Sequence, residues 1–237
     1  MEKMSTKKLP ETDDERLDIL RAALGQEESN EAWDKILSIM ELQEVRLFVP
    51  LYEGANFNLN QATSDRNRAI TLYDELFKNA QLYISHFIQV LFLTVIRNEI
   101  RSESLSLYGF EENNPVLPDL STEEAILNWG EKLMRAESER TYRGGIPLYN
   151  PAIAKVKVHY ELFKESIYSL GIYEKNLARM ENNMKDLRQK ANELIWEIWT
   201  KVEERYSTSS PAEQNLRFKA YKIQFHSRKG EQLNVFD

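Results

Sequence analysis

The sequence predicts an all-α protein: an antiparallel four-helix-type bundle with one or two extra short helices and a minor extended element near the C-terminus. Three observations predict it. Glycine and proline are scarce, at 8 and 7 of 237 residues, while 29% of residues are charged, a composition that favours helix over turn-rich folds. Apolar residues recur at three- and four-residue spacing along most of the chain, the period of one helix face. Helix-start signals also precede the apolar runs: Thr12 with Glu15, Ser121 with Glu124, and Asn150 with Pro151. No Pro/Gly/Ser-rich linker separates two apolar patterns, so residues 1–237 read as a single domain.

Residues 1–11 are polar and predict no regular structure. Thr12 opens a short helix with Leu17, Leu20, Ala23 and Leu24 on its apolar face, and Gly25 should stop it, because glycine accepts the left-handed conformation that ends helices. A second helix, about 31–60, is marked by Trp33, Ile36, Leu37, Met40, Val45, Phe48 and Tyr52. Pro50 lacks an amide proton and should kink or end it. A turn is expected within 54–66, where Gly54 and the alternating Asn56, Asn58 and Asn60 fall. The third helix, about 66–101, holds the most apolar stretch. Between 82 and 96 only Ser85, His86, Gln89 and Thr94 are polar, and at 3.6 residues per turn they form no continuous wet face. Other helices are therefore expected to cover it on most sides.

Residues 102–120 contain Pro115, Pro118, Gly109 and the pair Asn113-Asn114, which predicts a long loop of the kind that often carries function. Leu105 and Leu107 alternate with serines there, a weak strand signal at 104–108. A helix of about six turns follows over 122–143, with Ile126, Trp129, Leu133 and Ala136 on one face and Gly144-Gly145 behind it. Asn150-Pro151 should be the cap and first residue of the next helix. Its register (Ile153, Val156, Tyr160, Phe163, Ile167, Leu170) continues to Val202, but one helix over 151–206 would be about 84 Å long at 1.5 Å per residue. That is too long for one compact domain, so a turn near 182 should divide it into 151–181 and 184–206. In the C-terminal extension, 207–237, Tyr221, Ile223 and Phe225 alternate with polar residues as in a half-buried strand. Such a strand needs a partner, either 104–108 or its counterpart in a second subunit, so a homodimer through this segment is expected.

Composition excludes several chemistries. The net charge of −7 argues against nucleic acid as a partner, although residues 216–237 gather five basic against two acidic residues. There is no cysteine, hence no disulfide, thiolate metal site or cysteine nucleophile. The N-terminal residues have no apolar core of a secretory signal, and 82–96 is shorter than the roughly 20 apolar residues that span a bilayer. A cytoplasmic protein with no membrane association is expected. The residues three before His86, His159 and His226 are Tyr83, Val156 and Ile223, so the Glu-x-x-His ligands of helical-bundle metal sites are missing. No metal site and no cofactor are expected. Phosphate-binding glycine loops and nucleophile motifs are also missing, and no catalytic residue is assigned.

What remains is a set of ligand-binding candidates: His86 and Gln89 on the apolar helix, and Arg140, Tyr142, Arg143 and Tyr149 around the double glycine. Together they would line a pocket closed by the 102–120 loop and hold a phosphate or carboxylate. Each also has a structural assignment. His86 would hydrogen-bond a neighbouring helix, and the arginines would complement the dipole at a helix C-terminus.

Residues 83–91 (YISHFIQVL), 117–133 (LPDLSTEEAILNWGEKL) and 193–203 (ELIWEIWTKVE) resemble a bacterial family of all-helical proteins to which no activity is assigned. The resemblance implies a bacterial, cytosolic helical bundle and brings no catalytic residues with it. The expected function is a non-enzymatic interaction or structural module. The alternative is a small-molecule-binding protein or enzyme with its pocket under the 102–120 loop.

Overall fold

The computed structural model describes residues 7–225, and these are all-α. In order they form α1 (Asp13–Ser29), α2 (Ile39–Ile96), a 3-10 helix (Ser102–Tyr108), α3 (Glu123–Tyr142), α4 (Ile153–Tyr206) and α5 (Pro211–Ala220). The chain packs as two compact units, one of Met1–Ala62 with Leu177–Asp237 and one of Thr63–Asn176. Each has its own apolar core.

The two turns expected in 54–66 and near 182 are not formed. α2 continues through Pro50, Gly54 and the asparagines, and α4 through Asn182-Asn183. A turn near 182 would be needed only if α4 had to fit a single core. Instead Val45, Tyr52 and Leu59 of α2 belong to the first core, and Ala80, Ile84 and Leu91 to the second. A helix that serves two cores need not match the width of either. Nothing stands within 4 Å of where a Cβ on Gly54 would lie, and Asn58 and Asn60 are exposed, so no local feature demands a turn.

In the first unit, Thr12 and Glu15 form the expected capping box. α1 passes the expected stop at Gly25 and ends at Asn30, whose N–H bonds the Gln26 carbonyl at 2.9 Å. Residues 30–38 are a loop rather than the start of the second helix. Trp33 and Met40, expected inside, are 75% and 84% exposed, while Leu37, Val45, Phe48 and Tyr52 are buried as expected. α2 starts where Ser38 and Glu41 bond each other's amides. Residues 177–206 bring Ile195, Ile198, Trp199 and Val202 into this core, and Trp199 Nε1 donates to the Tyr221 carbonyl at 3.0 Å. The expected C-terminal strand is reduced to one antiparallel bridge, Phe225 with Lys7, next to a 2.9 Å bond from Lys8 N–H to the Gln224 carbonyl. Its partner is therefore the chain's own N-terminal segment, where Leu9 packs on the core and Pro10 is buried. Residues 1–6 of the expected irregular start, and His226 with the rest of the basic tail, lie outside the described residues.

In the second unit, α3 is capped by Thr122, whose hydroxyl accepts from Ala125 N–H at 3.2 Å. The expected capping box on Ser121 is thus one residue out of register, and Ala125 at the third position has no side chain to reach back. α4 starts at Ile153, not Pro151: its first turn closes on the Ala152 carbonyl, which accepts from Lys155 and Val156, and the Asn150-Pro151 peptide, which is cis, precedes it. The expected strand at 104–108 is the 3-10 helix, with Leu105 and Tyr108 buried. α2 turns Ala80, Ile84, Phe87, Ile88 and Leu91 toward Leu133, Val156 and Phe163 in this core. Contrary to the expectation of cover on most sides, Leu82, Leu93 and Ile96 on its other faces are exposed among the described residues. An 18-residue window of α2 has a mean hydropathy of 1.3 and is only 28% buried, so by length and composition this helix could cross a membrane.

Candidate functional site

The second unit's polar centre is built from three residues. α3 brings Glu137 and Arg140, one turn apart, to its inner face, and the 3-10 helix ends on Tyr108, where Gly109 at φ 75° reverses the chain. Glu137 is 1% and Arg140 6% exposed. The Tyr108 hydroxyl donates a short hydrogen bond to the Glu137 carboxylate. Arg140 donates to both carboxylate oxygens at 2.9 and 3.0 Å, to Tyr108 Oη at 2.9 Å and to the Ile146 carbonyl at 2.8 Å. The Leu148 N–H completes the carboxylate's partners at 2.9 Å. Burial, reinforced by Glu137, raises Tyr108 well above the ordinary phenol range. Burial alone would lower the Arg140 guanidinium, but its bonds to Glu137 and Tyr108 outweigh that and raise it. The arrangement locks two charges and a phenol into one another and fixes residues 146–148 against α3.

Beside this centre lies an open cleft of about 750 Å³, bounded by residues 99–107 on one side and Arg140 to Ile146 on the other. Of the sequence-predicted residues it brings together Arg140 and Arg143. Arg140 is held as described, and Arg143 pairs with Glu139 one turn back on α3. Gly145 is required against Arg140, since a Cβ there would stand 2.7 Å from Nη1 and 2.9 Å from the carbonyl oxygen. The other four do not converge on it. His86 and Gln89 are on the exposed side of α2, with Gln89 bonding Ser85 at 3.1 Å, and Tyr142 and Tyr149 are 92% and 94% exposed. A second open cleft, of about 520 Å³, lies under residues 117–120 against Lys78, Gln81, Leu82 and Ser85 of α2. It includes none of the six.

The first unit has its own buried carboxylate. Glu27, 0% exposed, accepts from the Tyr221 hydroxyl at 2.8 Å and from the amides of Ile36 and Leu37 at 3.2 Å. Burial and this bond push the Tyr221 phenol far up. Neither glutamate nor Tyr108 stands out as a site residue in the sequence, and Tyr221 only as the apolar face of a half-buried strand, because each sits within an ordinary amphipathic pattern. The signal that could have found them is positional: each glutamate lies 15 residues after the threonine that caps its helix. His159 was also passed over. Its ring stacks on Tyr83 at 3.8 Å, its Nδ1 has no hydrogen-bond partner, and burial and the Lys155 charge lower its basicity. Among the described residues no group of histidines and carboxylates is placed to hold a metal ion.

Comparison with models of protein families, with curated proteins and with solved structures found no match to this chain.

Proposed function

We propose that the protein is a non-enzymatic interaction module of the cytoplasm that works through the exposed side of its long helices. The observation that carries this reading is the set of exposed apolar residues along α2: Ile39, Met40, Leu47, Leu51 and Phe57 in the first unit, Leu72, Leu82, Leu93 and Ile96 in the second. Large apolar side chains left in solvent at this many positions of one helix point to an interaction site, and an exposed helix face is a common docking element. The pocket reading has less support. The cleft's two best-placed cations are already paired with Glu137 and Glu139, and the remaining candidates face elsewhere. The basic tail likewise has intramolecular partners for two of its charges, Arg217 with Asp34 and Lys222 with Asp18.

Sedimentation velocity over a wide concentration range, combined with flotation on anionic vesicles, tests the reading. Reversible self-association without flotation is expected. A protein that stays monomeric and floats with the vesicles would move these apolar residues to a lipid surface and end the cytoplasmic assignment.

A further inference from the structure

The two units are built from matching parts. A shift of 110 residues lays α1 on α3: the N-cap Thr12 falls on Thr122, Ala23 on Leu133, and the buried Glu27 on the buried Glu137. A shift of 111 lays α2 on α4. Buried Val45, Val49 and Tyr52 fall on Val156, Tyr160 and Phe163, and buried Ala80, Ile84, Ile88 and Leu91 fall on Ala191, Ile195, Trp199 and Val202. A shift of 113 lays Tyr108 on Tyr221. Each tyrosine is followed by a residue of positive φ, Gly109 at 75° and Lys222 at 52°. The next N–H then reaches back five residues, from Phe110 to Leu105 and from Ile223 to Phe218, at 3.0 and 2.9 Å.

Helix periodicity alone would align any two helices at some shift. It would not give nearly the same shift for three separate elements, nor place a cap, a buried glutamate and its tyrosine alike. Even the mismatches compensate. Where the first unit has Leu20 and Val49, the second has Gly130 and Tyr160, and a Cβ on Gly130 would stand 2.3 Å from the Tyr160 ring. Asn30, the counterpart of Arg140, points its amide at Tyr221 Oη and the Asp34 carbonyl, both at 3.5 Å, as Arg140 does at Tyr108 and Ile146.

The parts are also exchanged. The first unit combines α1 and residues 39–62 with the second half of α4 and Tyr221; the second combines α3 and residues 153–176 with the second half of α2 and Tyr108. Each Glu–Tyr bond therefore joins the first repeat to the second.

On the surface the correspondence persists at one place. Exposed Leu47, Leu51 and Phe57 fall on exposed Val158, Leu162 and Tyr168. By contrast, exposed Leu82 and Leu93 fall on Glu193 and Glu204. Apolar character that both repeats keep in solvent serves no core. We infer that the chain is a tandem duplication whose repeats complete each other's units, and that it presents one docking face twice, on α2 and on α4, to a second copy of this chain. Charges of both signs border both faces, Glu44, Arg46 and Glu53 around one and Lys157, Glu161 and Lys164 around the other. The α2 border thus carries one more acid and the α4 border one more base, so the α2 face of one copy complements the α4 face of another, as a reciprocal contact between two copies requires.

The inference rests on the interaction reading, and one experiment separates their failures. Self-association of the full chain is measured by sedimentation velocity for the wild type, L47E/L51E, V158E/L162E and the control V116E, at an exposed apolar residue outside both faces, with circular dichroism confirming that each is folded. Both double variants should weaken association by about tenfold or more and to a similar degree, with V116E unchanged. If only one double variant weakens it, or V116E weakens it equally, the duplicated face is overturned while the interaction reading stands. A wild type that is monomeric throughout overturns both.

Discussion

The Tyr221 hydroxyl donates to the Glu27 carboxylate at 2.8 Å, joining residues 194 positions apart in a site with no exposed surface on either side chain. Replacing Tyr221 by Phe leaves the carboxylate with the Ile36 and Leu37 amides and removes its strongest neutral donor. Loss of one bond to a buried charge should lower unfolding free energy by about 1–3 kcal/mol in urea titrations. An unchanged midpoint would show that the last described segment does not help to hold the first unit closed.

In the second unit the corresponding carboxylate also carries an ion pair. Arg140→Met leaves Glu137 buried and short of its main partner, and should cost about 3–5 kcal/mol. The double variant E137L/R140M removes both charges and should recover part of that loss. The two effects will not add, since the residues share one hydrogen-bond network. Thermal melts of R140M, E137L and the double variant read this directly.

Much of this was legible in the residues, and the rest was hidden for definable reasons. The class, the Thr12 capping box, the helix from 123 and the buried faces at Val45, Tyr52, Ile84, Ile195 and Val202 follow from period and cap chemistry. The expected turn in 54–66 follows from Gly54 and the asparagines, which the long α2 simply accommodates, and the expected turn near 182 from the length one core permits, whereas the chain has two cores. The candidate pocket failed to gather because helix phase was assigned by composition. Ser85, His86 and Gln89 lie on the wet side of α2, while the apolar Leu82 and Leu93 share exposure with them instead of being covered. Glu137 and Tyr108 were missed because a buried ion network leaves no local pattern.

Glycines at two places should respond in opposite directions. Gly130 lies against the Tyr160 ring, so Gly130→Ala must displace a buried aromatic, at about 1–3 kcal/mol. Gly171 sits within α4 with nothing within 4 Å of a Cβ, so Gly171→Ala should stabilise by about 0.5–1 kcal/mol. Differential scanning calorimetry should show Tm falling in the first and rising in the second.

Acid should open the first unit. Glu41 is held down to about 2 by its hydrogen bond with Lys201 and by the Ser38 amide. Burial pushes the Asp13 carboxyl up, but the bonds from Arg188 and Tyr52 and the charges of Arg188 and Arg16 outweigh it and leave it below the ordinary carboxylate range. Both groups bind protons more weakly folded than unfolded, so the stability they give is full above the ordinary carboxylate range. It declines as pH falls through about 4.5 toward 2. Urea midpoints measured down that range should drop, and Glu41→Gln should flatten the drop; an equal slope in the variant would assign it to other carboxylates.

The nesting of Thr63–Asn176 between the two stretches of the other unit imposes an order on biosynthesis. All of the inner unit leaves the ribosome while the outer one still lacks Ile195, Trp199 and Tyr221. Until translation passes those residues, Leu17, Leu20 and Val45 have no partners from the second half of α4, and the Glu27 carboxylate has no phenol. A nascent chain of this protein therefore carries its first-made helices uncovered for longest, the interval in which holdase chaperones engage hydrophobic segments.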